Sequence, residues 1–257
     1  MNEIAPTGSL LTRSQKVPAS HAIDWYTGAF ALFMRAPLMW ILLALGMIAI
    51  WILLGLIPLL GQLALPLVMP VFVAAWQVAA RKVEAGGALE VGDLLTGLQD
   101  KLTALVVLGA IVLGTSLLIV LTAGLVGMGA VVGGIAGGAA DSDAGLMAAM
   151  GVGLLAILLG LVLSVLIGMA FWFAPALVVF RDVSPVNAIT ASFMANLKNI
   201  PAFLLFGILY LAAALLATIP AGLGWILLAP VVMLTTWTSY QDVFGDEAAA
   251  HSGASTG

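Results

Sequence analysis

Six stretches of this chain run for about the length of a membrane crossing without one Asp, Glu, Lys or Arg: residues 37–57, 62–80, 102–126, 151–180, 201–219 and 221–240. A helix needs about 20 mostly apolar residues to cross the hydrocarbon core. Lipid offers the backbone no hydrogen-bonding partner, so only helices and closed barrels span it. The short alternating segments of a barrel are absent. The sequence therefore predicts an all-α integral membrane protein with six transmembrane helices, the fourth long enough to tilt. Composition agrees: 63% of residues are hydrophobic and 8% charged, against roughly 45–50% and 25% in a soluble domain. That leaves too little polar surface to cover a water-soluble globule, which excludes a soluble enzyme, and too much apolar surface for a disordered chain. With no Cys, disulfides, thiolate nucleophiles and Cys-based metal sites are excluded.

The flanks are polar. Residues 1–20 hold Pro6, Arg13, Lys16 and Pro18 around one Leu10-Leu11 pair and lack the apolar core of a signal peptide. They read as a disordered tail, residues 21–244 as a single six-helix membrane domain, and residues 245–257 as a second disordered tail. Basic residues set orientation. Arg13, Lys16 and Arg35 precede the first stretch, Arg81, Lys82 and Lys101 lie between the second and third, and Arg181 and Lys198 between the fourth and fifth. The opposite turns, 58–61, 127–150 and 220, hold none. The positive-inside rule then puts both termini in the cytoplasm.

The stretches look paired, and each pair is preceded by an amphipathic segment. In the first segment Ile23, Tyr26, Phe30 and Phe33 share a helical face. In the second Val91, Leu94, Leu95, Leu98 and Leu102 do so. In the third the stripe is Val186, Ile189, Phe193, Leu197 and Ile200, opposed by Asn187, Ser192, Asn196 and Asn199. Such stripes suit helices lying in the membrane interface. Each ends at a basic residue, Arg35, Lys101 or Lys198, and two are followed by a proline, Pro37 or Pro201, which favours a break before the spanning helix. The second and sixth stretches also align, Pro70 with Pro230 and Val83 with Val243, and the fourth closes similarly on Asp182-Val183. The expectation is three tandem units, each an interfacial helix followed by a helix pair, at a period near 80 residues.

Little in the spanning stretches can do chemistry. Intramembrane ionisable groups are the usual marks of transport or catalysis, and none is present. Thr115, Ser116, Thr122, Ser164 and Thr218 can bond their own helix backbone, while Gln62 and Gln77 fall near helix ends where headgroups or water can reach them. His21 and His251 have no partners at metal-ligand spacing. No cofactor or metal is expected, and no enzymatic activity. Gly127, Gly129 and Gly133, in a Gly-rich loop over 127–150, are wrongly spaced for a nucleotide fingerprint. Ala156, Gly160, Ser164 and Gly168 form a small-residue stripe expected to be a packing seam within the bundle. Trp40, Trp76, Trp172, Trp225 and Trp237 read as an interfacial belt. Polar chemistry concentrates on one rim, where Arg35, Arg81, Lys82, Lys101, Arg181 and Lys198 are the candidate contacts for lipid headgroups or a partner. Nothing suggests nucleic acid.

Three segments carry a resemblance: LFMRAPLMW (32–40), PVFVAAWQVAARKVEAGGALEVGDLLTGL (70–98) and FAPALVVFRDVSPVNAITASFMANLKNIPAF (173–203). They are similar to an uncharacterised family of bacterial inner-membrane proteins with six spanning segments. The family in turn looks distantly similar to the membrane domain that accompanies some glycerophosphodiester phosphodiesterases. The resemblance implies a bacterial inner membrane and brings no catalytic motif with it. The expected function is a non-catalytic inner-membrane protein interacting with lipid or with another membrane protein. The alternative is a carrier or channel for a small neutral or lipidic solute.

Overall fold

A computed structural model describes residues 13–90, 98–136 and 142–245. Every regular element among them is helical: α1 (His21–Arg35), α2 (Pro37–Gly55), α3 (Leu60–Glu84), a 3₁₀ turn (Gln99–Lys101) continuing into α4 (Leu102–Ala136), α5 (Asp143–Phe171), α6 (Ala174–Arg181), α7 (Pro185–Lys198), α8 (Ile200–Thr218) and α9 (Trp225–Phe244). Five segments are long and apolar enough to cross a membrane: Pro37–Gly55, Leu60–Glu84, Gln99–Gly129, Asp143–Arg181 and Ile200–Thr218. The sixth predicted crossing, 221–240, is a helix from Trp225 but falls short of that standard. Its second half carries Thr235, Thr236, Thr238, Ser239, Tyr240, Gln241 and Asp242, and most of those side chains are buried in protein.

The breaks follow local chemistry. α1 stops at Arg35 because Ala36 leaves helical geometry (φ −151°, ψ 56°) ahead of Pro37, which opens α2. α7 stops in the same way at Asn199, with Pro201 in the first turn of α8. The predicted loop over 127–150 is mostly helix, because α4 runs on through Ala136 and α5 starts at Asp143. There the Ser142 hydroxyl accepts a hydrogen bond from the Gly145 N–H (3.1 Å), a cap for the new helix. Residues 137–141 lie outside the described part. So do 91–97, which hold most of the second amphipathic segment, and both outer flanks, 1–12 and 246–257.

The chain divides into two compact units. One comprises residues 110–168, the greater part of α4 and α5. Its large apolar side chains, among them Leu118, Leu121, Leu125, Ile157 and Leu161, are exposed, as a lipid-facing hairpin requires. A Cβ placed on Gly160 or Gly168 would meet nothing within 4 Å, so these two glycines of the stripe make no close backbone approach. The hydroxyls behave as expected. Thr115, Thr122 and Ser164 each donate to the carbonyl four residues back, at 2.7–2.8 Å, and so does Thr218 of the other unit at 2.8 Å.

The other unit holds the core, formed where α1, the inner half of α3, the start of α4, α6, α7 and the inner half of α9 meet. Gly109 makes one contact possible: a Cβ there would stand 2.6 Å from the Leu67 Cα and from the carbonyl oxygens of Pro66 and Leu67. The backbones of α3 and α4 therefore touch at this point, and no larger residue fits. The tryptophans depart from the belt expectation. Trp25, Trp40, Trp76 and Trp237 are buried, with the Trp40 and Trp76 rings 5.3 Å apart. Trp172 packs edge-on against Phe203 and Phe206. Trp51 and Trp225, towards the other end, are exposed. These indoles fill the core because one end of the bundle is packed with protein where lipid was expected.

The amphipathic helices also face unexpectedly. Along α7 and its cap, three of the four predicted polar residues, Ser192, Asn196 and Asn199, are buried and Asn187 is exposed, while Val186, Leu197 and Ile200 from the apolar stripe are exposed and Ile189 and Phe193 half-buried. On α1 the buried face is Ala22, Trp25, Ala29, Leu32 and Phe33, and Ile23 and Phe30 point outward. Small and hydrogen-bonding residues form the contact because they let helices approach closely, and large apolar side chains are stable outside when the solvent is lipid.

The burial patterns of α3 and α9 correspond at most positions of their inner halves, with Val71 half-buried where Val231 is buried and Glu84 exposed where Phe244 is buried. Pro70 and Pro230 are buried, then residues 74–77 and 234–237, then 79–80 and 239–240, with 78 and 238 half-buried in both.

Candidate functional site

The six basic residues singled out above lie together at one end of the core unit, and most brace helix ends. Arg35 at the end of α1 donates to the carbonyls of Val83 (3.2 Å) and Glu84 (2.9 Å), capping the last turn of α3. Arg181 at the end of α6 does the same for α9, donating to the Phe244 carbonyl with its guanidinium 5.5 Å above the Phe244 ring. Phe244 stands where Glu84 stands in the aligned halves of α9 and α3. A cation at a helix C-terminus also complements the helix dipole. Lys198 donates to the Ser14 carbonyl, and Lys101 pairs with Asp182, which adopts left-handed backbone (φ 55°) to end α6. Arg81 lies 5.4 Å above the Phe180 ring. Arg81 and Lys82, with Val78, Ala85, Val179 and Phe180, line a cleft of about 380 Å³ between the last turns of α3 and α6.

A second constellation had no sequence motif to announce it. Asp242, in the last turn of α9, accepts a hydrogen bond from Trp25 Nε1 at 2.7 Å, and His21 Nδ1 lies 3.0 and 3.1 Å from its two carboxylate oxygens. Thr238 donates to the Trp25 carbonyl at 2.9 Å. The group locks α1 onto α9. The only sequence signal was an acidic residue closing a spanning stretch, 221 positions from the histidine it meets.

The segment assigned to the first tail is, from Ser14 onward, tied to this end. Gln15 N–H donates to the Val243 carbonyl (2.9 Å), Val17 N–H to Asn199 Oδ1 (2.8 Å), and Asn199 Nδ2 to the Gln15 carbonyl (3.0 Å). Deeper in α7, Ser192 Oγ and Asn196 Nδ2 both donate to the Met169 carbonyl (2.8 and 2.9 Å). Ser192 Oγ also accepts from the Phe173 N–H at 3.0 Å. These bonds satisfy backbone groups released where α5 breaks into α6. Tyr26, stacked on Phe206 at 5.0 Å, has its hydroxyl pKa pushed up by burial and then by the nearby Tyr210.

Glu84 Oε2 accepts from Trp237 Nε1 (3.1 Å) and Gln241 Nε2 (2.7 Å), joining α3 to α9. Gln77 corrects an expectation. It is fully buried, and neither its amide nitrogen nor its amide oxygen finds a partner, nor does the neighbouring Trp76 Nε1. Headgroups do not reach it. Among the described residues no group of three or more His, Asp or Glu is placed to hold a metal ion.

No protein-family model matches this chain, and no solved structure matches it. It is 29% identical over 230 residues to a protein of Burkholderia thailandensis named as a probable inner membrane protein, with 85% of this chain and 84% of that protein covered. With that relative and five helices of membrane length and apolarity, the chain is a multi-pass inner-membrane protein of bacterial type.

Proposed function

We propose that this protein is a non-catalytic, six-span inner-membrane protein that works by holding lipid or another membrane protein against its basic end, with that end and both termini in the cytoplasm. The observation that carries the reading is the use made of the basic residues. Arg35, Arg181, Lys101 and Lys198 brace helix ends and strap the chain, whereas the hydroxyls farther along the apolar helices bond only their own backbone. Charge is thus concentrated where helix ends are tied together, while the described hydroxyls of the apolar helices are spent on their own backbone.

The finer architecture belongs to the same proposal. α9 is the sixth crossing, its polar inner half shielded by α1, α3 and α6. The tandem organisation is supported by the matched burial of α3 and α9, by the equivalent arginine caps and by the one-residue breaks at Ala36 and Asn199. The distant likeness to a phosphodiesterase-associated membrane domain contributes no residue to this reading.

The test is gentle purification followed by mass spectrometry of proteins and lipids, together with flux measurements in proteoliposomes. Enrichment of one lipid class or a stoichiometric protein partner, with no solute uptake, is expected. Saturable uptake of a defined solute would replace this reading with a carrier, which one observation favours: the buried, unpartnered amide of Gln77. In that case Gln77→Leu abolishes the uptake. A reporter near Asp143 that is active in the cytoplasm would overturn the orientation.

A further inference from the structure

The outward sides of α1 and α7 are each divided into two edges. Successive residues of a helix turn by about 100°. On α1 that places the exposed Ile23, Phe30 and Met34 within about 40° of one another, with the exposed Asp24 and Arg35 roughly 110° further round. On α7 the same three places are held by Val186, the half-buried Phe193 and Leu197, and the same two by Asn187 and Lys198. Thr27 and Thr190 correspond as well. Each turns its hydroxyl back on its own helix, to the Asp24 carbonyl at 3.2 Å and to the Val186 carbonyl at 3.0 Å. The depth of both helices follows from what they touch. Tyr26 of α1 stacks on Phe206, in the second turn of α8 and about 9 Å inside that membrane-length helix. The Leu32 carbonyl accepts from Trp40 Nε1 (3.2 Å), near the start of α2. The Met169 carbonyl, to which Ser192 and Asn196 of α7 donate, lies within the apolar segment Asp143–Arg181, well before its basic end.

We infer that α1 and α7 lie half-sunk in the membrane leaflet at the basic end, their apolar edges among the acyl chains and their polar edges at the headgroups. This deepens the lipid interaction proposed above and rests on it. Lipid is the occupant because the apolar edges continue, across Ala36 and Asn199, into exposed apolar side chains of membrane-length helices: Leu38 and Leu42 on α2, Leu204 and Ile208 on α8. A water-soluble partner does not reach a surface level with the first turns of such helices. An interfacial helix sinks its apolar face roughly 5–10 Å into the boundary between headgroups and acyl chains, which is the depth that the Tyr26–Phe206 stack requires. Each helix thus meets three media along three edges: protein, hydrocarbon and headgroup.

The chain has no Cys, so single cysteines can be placed on either edge of each helix: Phe30→Cys and Leu197→Cys on the apolar edges, Asp24→Cys and Asn187→Cys on the polar ones. Each full-length variant is labelled with the fluorophore NBD and reconstituted in dioleoyl phosphatidylcholine vesicles. Quenching is read from a phosphatidylcholine that carries a doxyl group on its acyl chain, and separately from iodide in the water on both sides. Labels at positions 30 and 197 are quenched by the doxyl lipid about twofold or more above labels at 24 and 187, and iodide gives the reverse order. The two helices test the placement independently, so a poorly folded variant of one leaves the other to decide. Equal quenching of both edges by iodide overturns the placement, because α1 and α7 then stand in water. Protection of positions 30 and 197 from both quenchers overturns it too, and identifies a second copy or a protein partner on this face. Solute uptake in proteoliposomes would sink the broader function without changing the quenching order, so the two failures are distinguishable.

Discussion

The inner halves of α3 and α9 share much of a burial pattern but differ in chemistry. On α3 the buried run is Ala74, Ala75, Trp76, Gln77, Ala79 and Ala80; on α9 it is Leu234, Thr235, Thr236, Trp237, Ser239 and Tyr240. α9 is much the more polar, yet its buried groups are paired: Thr235 and Thr236 donate to carbonyls of their own helix, and Trp237 reaches Glu84. α3 is nearly all apolar, yet it carries the unpaired Gln77 amide and Trp76 indole N–H. Polarity and satisfaction are separate properties. Hydropathy measures the first, whereas stability in a dry core depends on the second.

The largest effect is expected at Asp242, near the end of α9. Asp242→Ala removes the acceptor for Trp25 and His21, and about 2–3 kcal/mol of stability should go with it, as for hydrogen bonds to a charged group. Thermal unfolding in detergent reads it, and a loss under about 0.5 kcal/mol, the ordinary range for surface substitutions, would end the claim that Asp242 pins α1 to α9.

A reversal of sign is expected one turn inward. Gln77→Leu removes a buried amide without partners and should raise stability by about 1–2 kcal/mol. Trp237→Phe takes a donor from Glu84 and should lower it by about 1 kcal/mol. A destabilised Gln77→Leu variant would mean that the amide has a partner.

The two arginine caps bear on the proposed repeat. Arg35→Gln and Arg181→Gln should each cost about 1 kcal/mol, and the double variant their sum, because they brace separate helix ends. The smallest effect is Thr236→Val, within about 0.5 kcal/mol of the wild type, since its hydroxyl bonds only within its helix. A larger loss would show that Thr236 serves a neighbour.

Much of this organisation was legible from residue order. The proline-marked breaks fall at Ala36 and Asn199, the hydroxyls of Thr115, Thr122 and Ser164 bond back as expected, and the six rim cations lie at one end. The direction of the amphipathic faces was not. A periodic stripe records which residues share a side but not whether that side meets water, protein or lipid. Val186 and Leu197 therefore face outward and Asn196 faces inward. Gln77 looked like a helix-end residue because hydropathy ended nearby, although the protein continues past it. The Asp242–Trp25–His21 group joins positions more than 200 residues apart, and no local pattern carries such a contact.

That separation has a consequence in time. Gln15 and Trp25 find their partners on α9, 227 and 217 residues downstream. At roughly 5–20 residues per second, a ribosome needs about 11–45 s to bridge the longer gap. Through that interval the Trp25 face of α1 has no α9 to dock on, although α1 itself emerges early. The α1–α9 contact therefore forms late in synthesis, and the arrival of α9 supplies partners for Gln15 and Trp25 together.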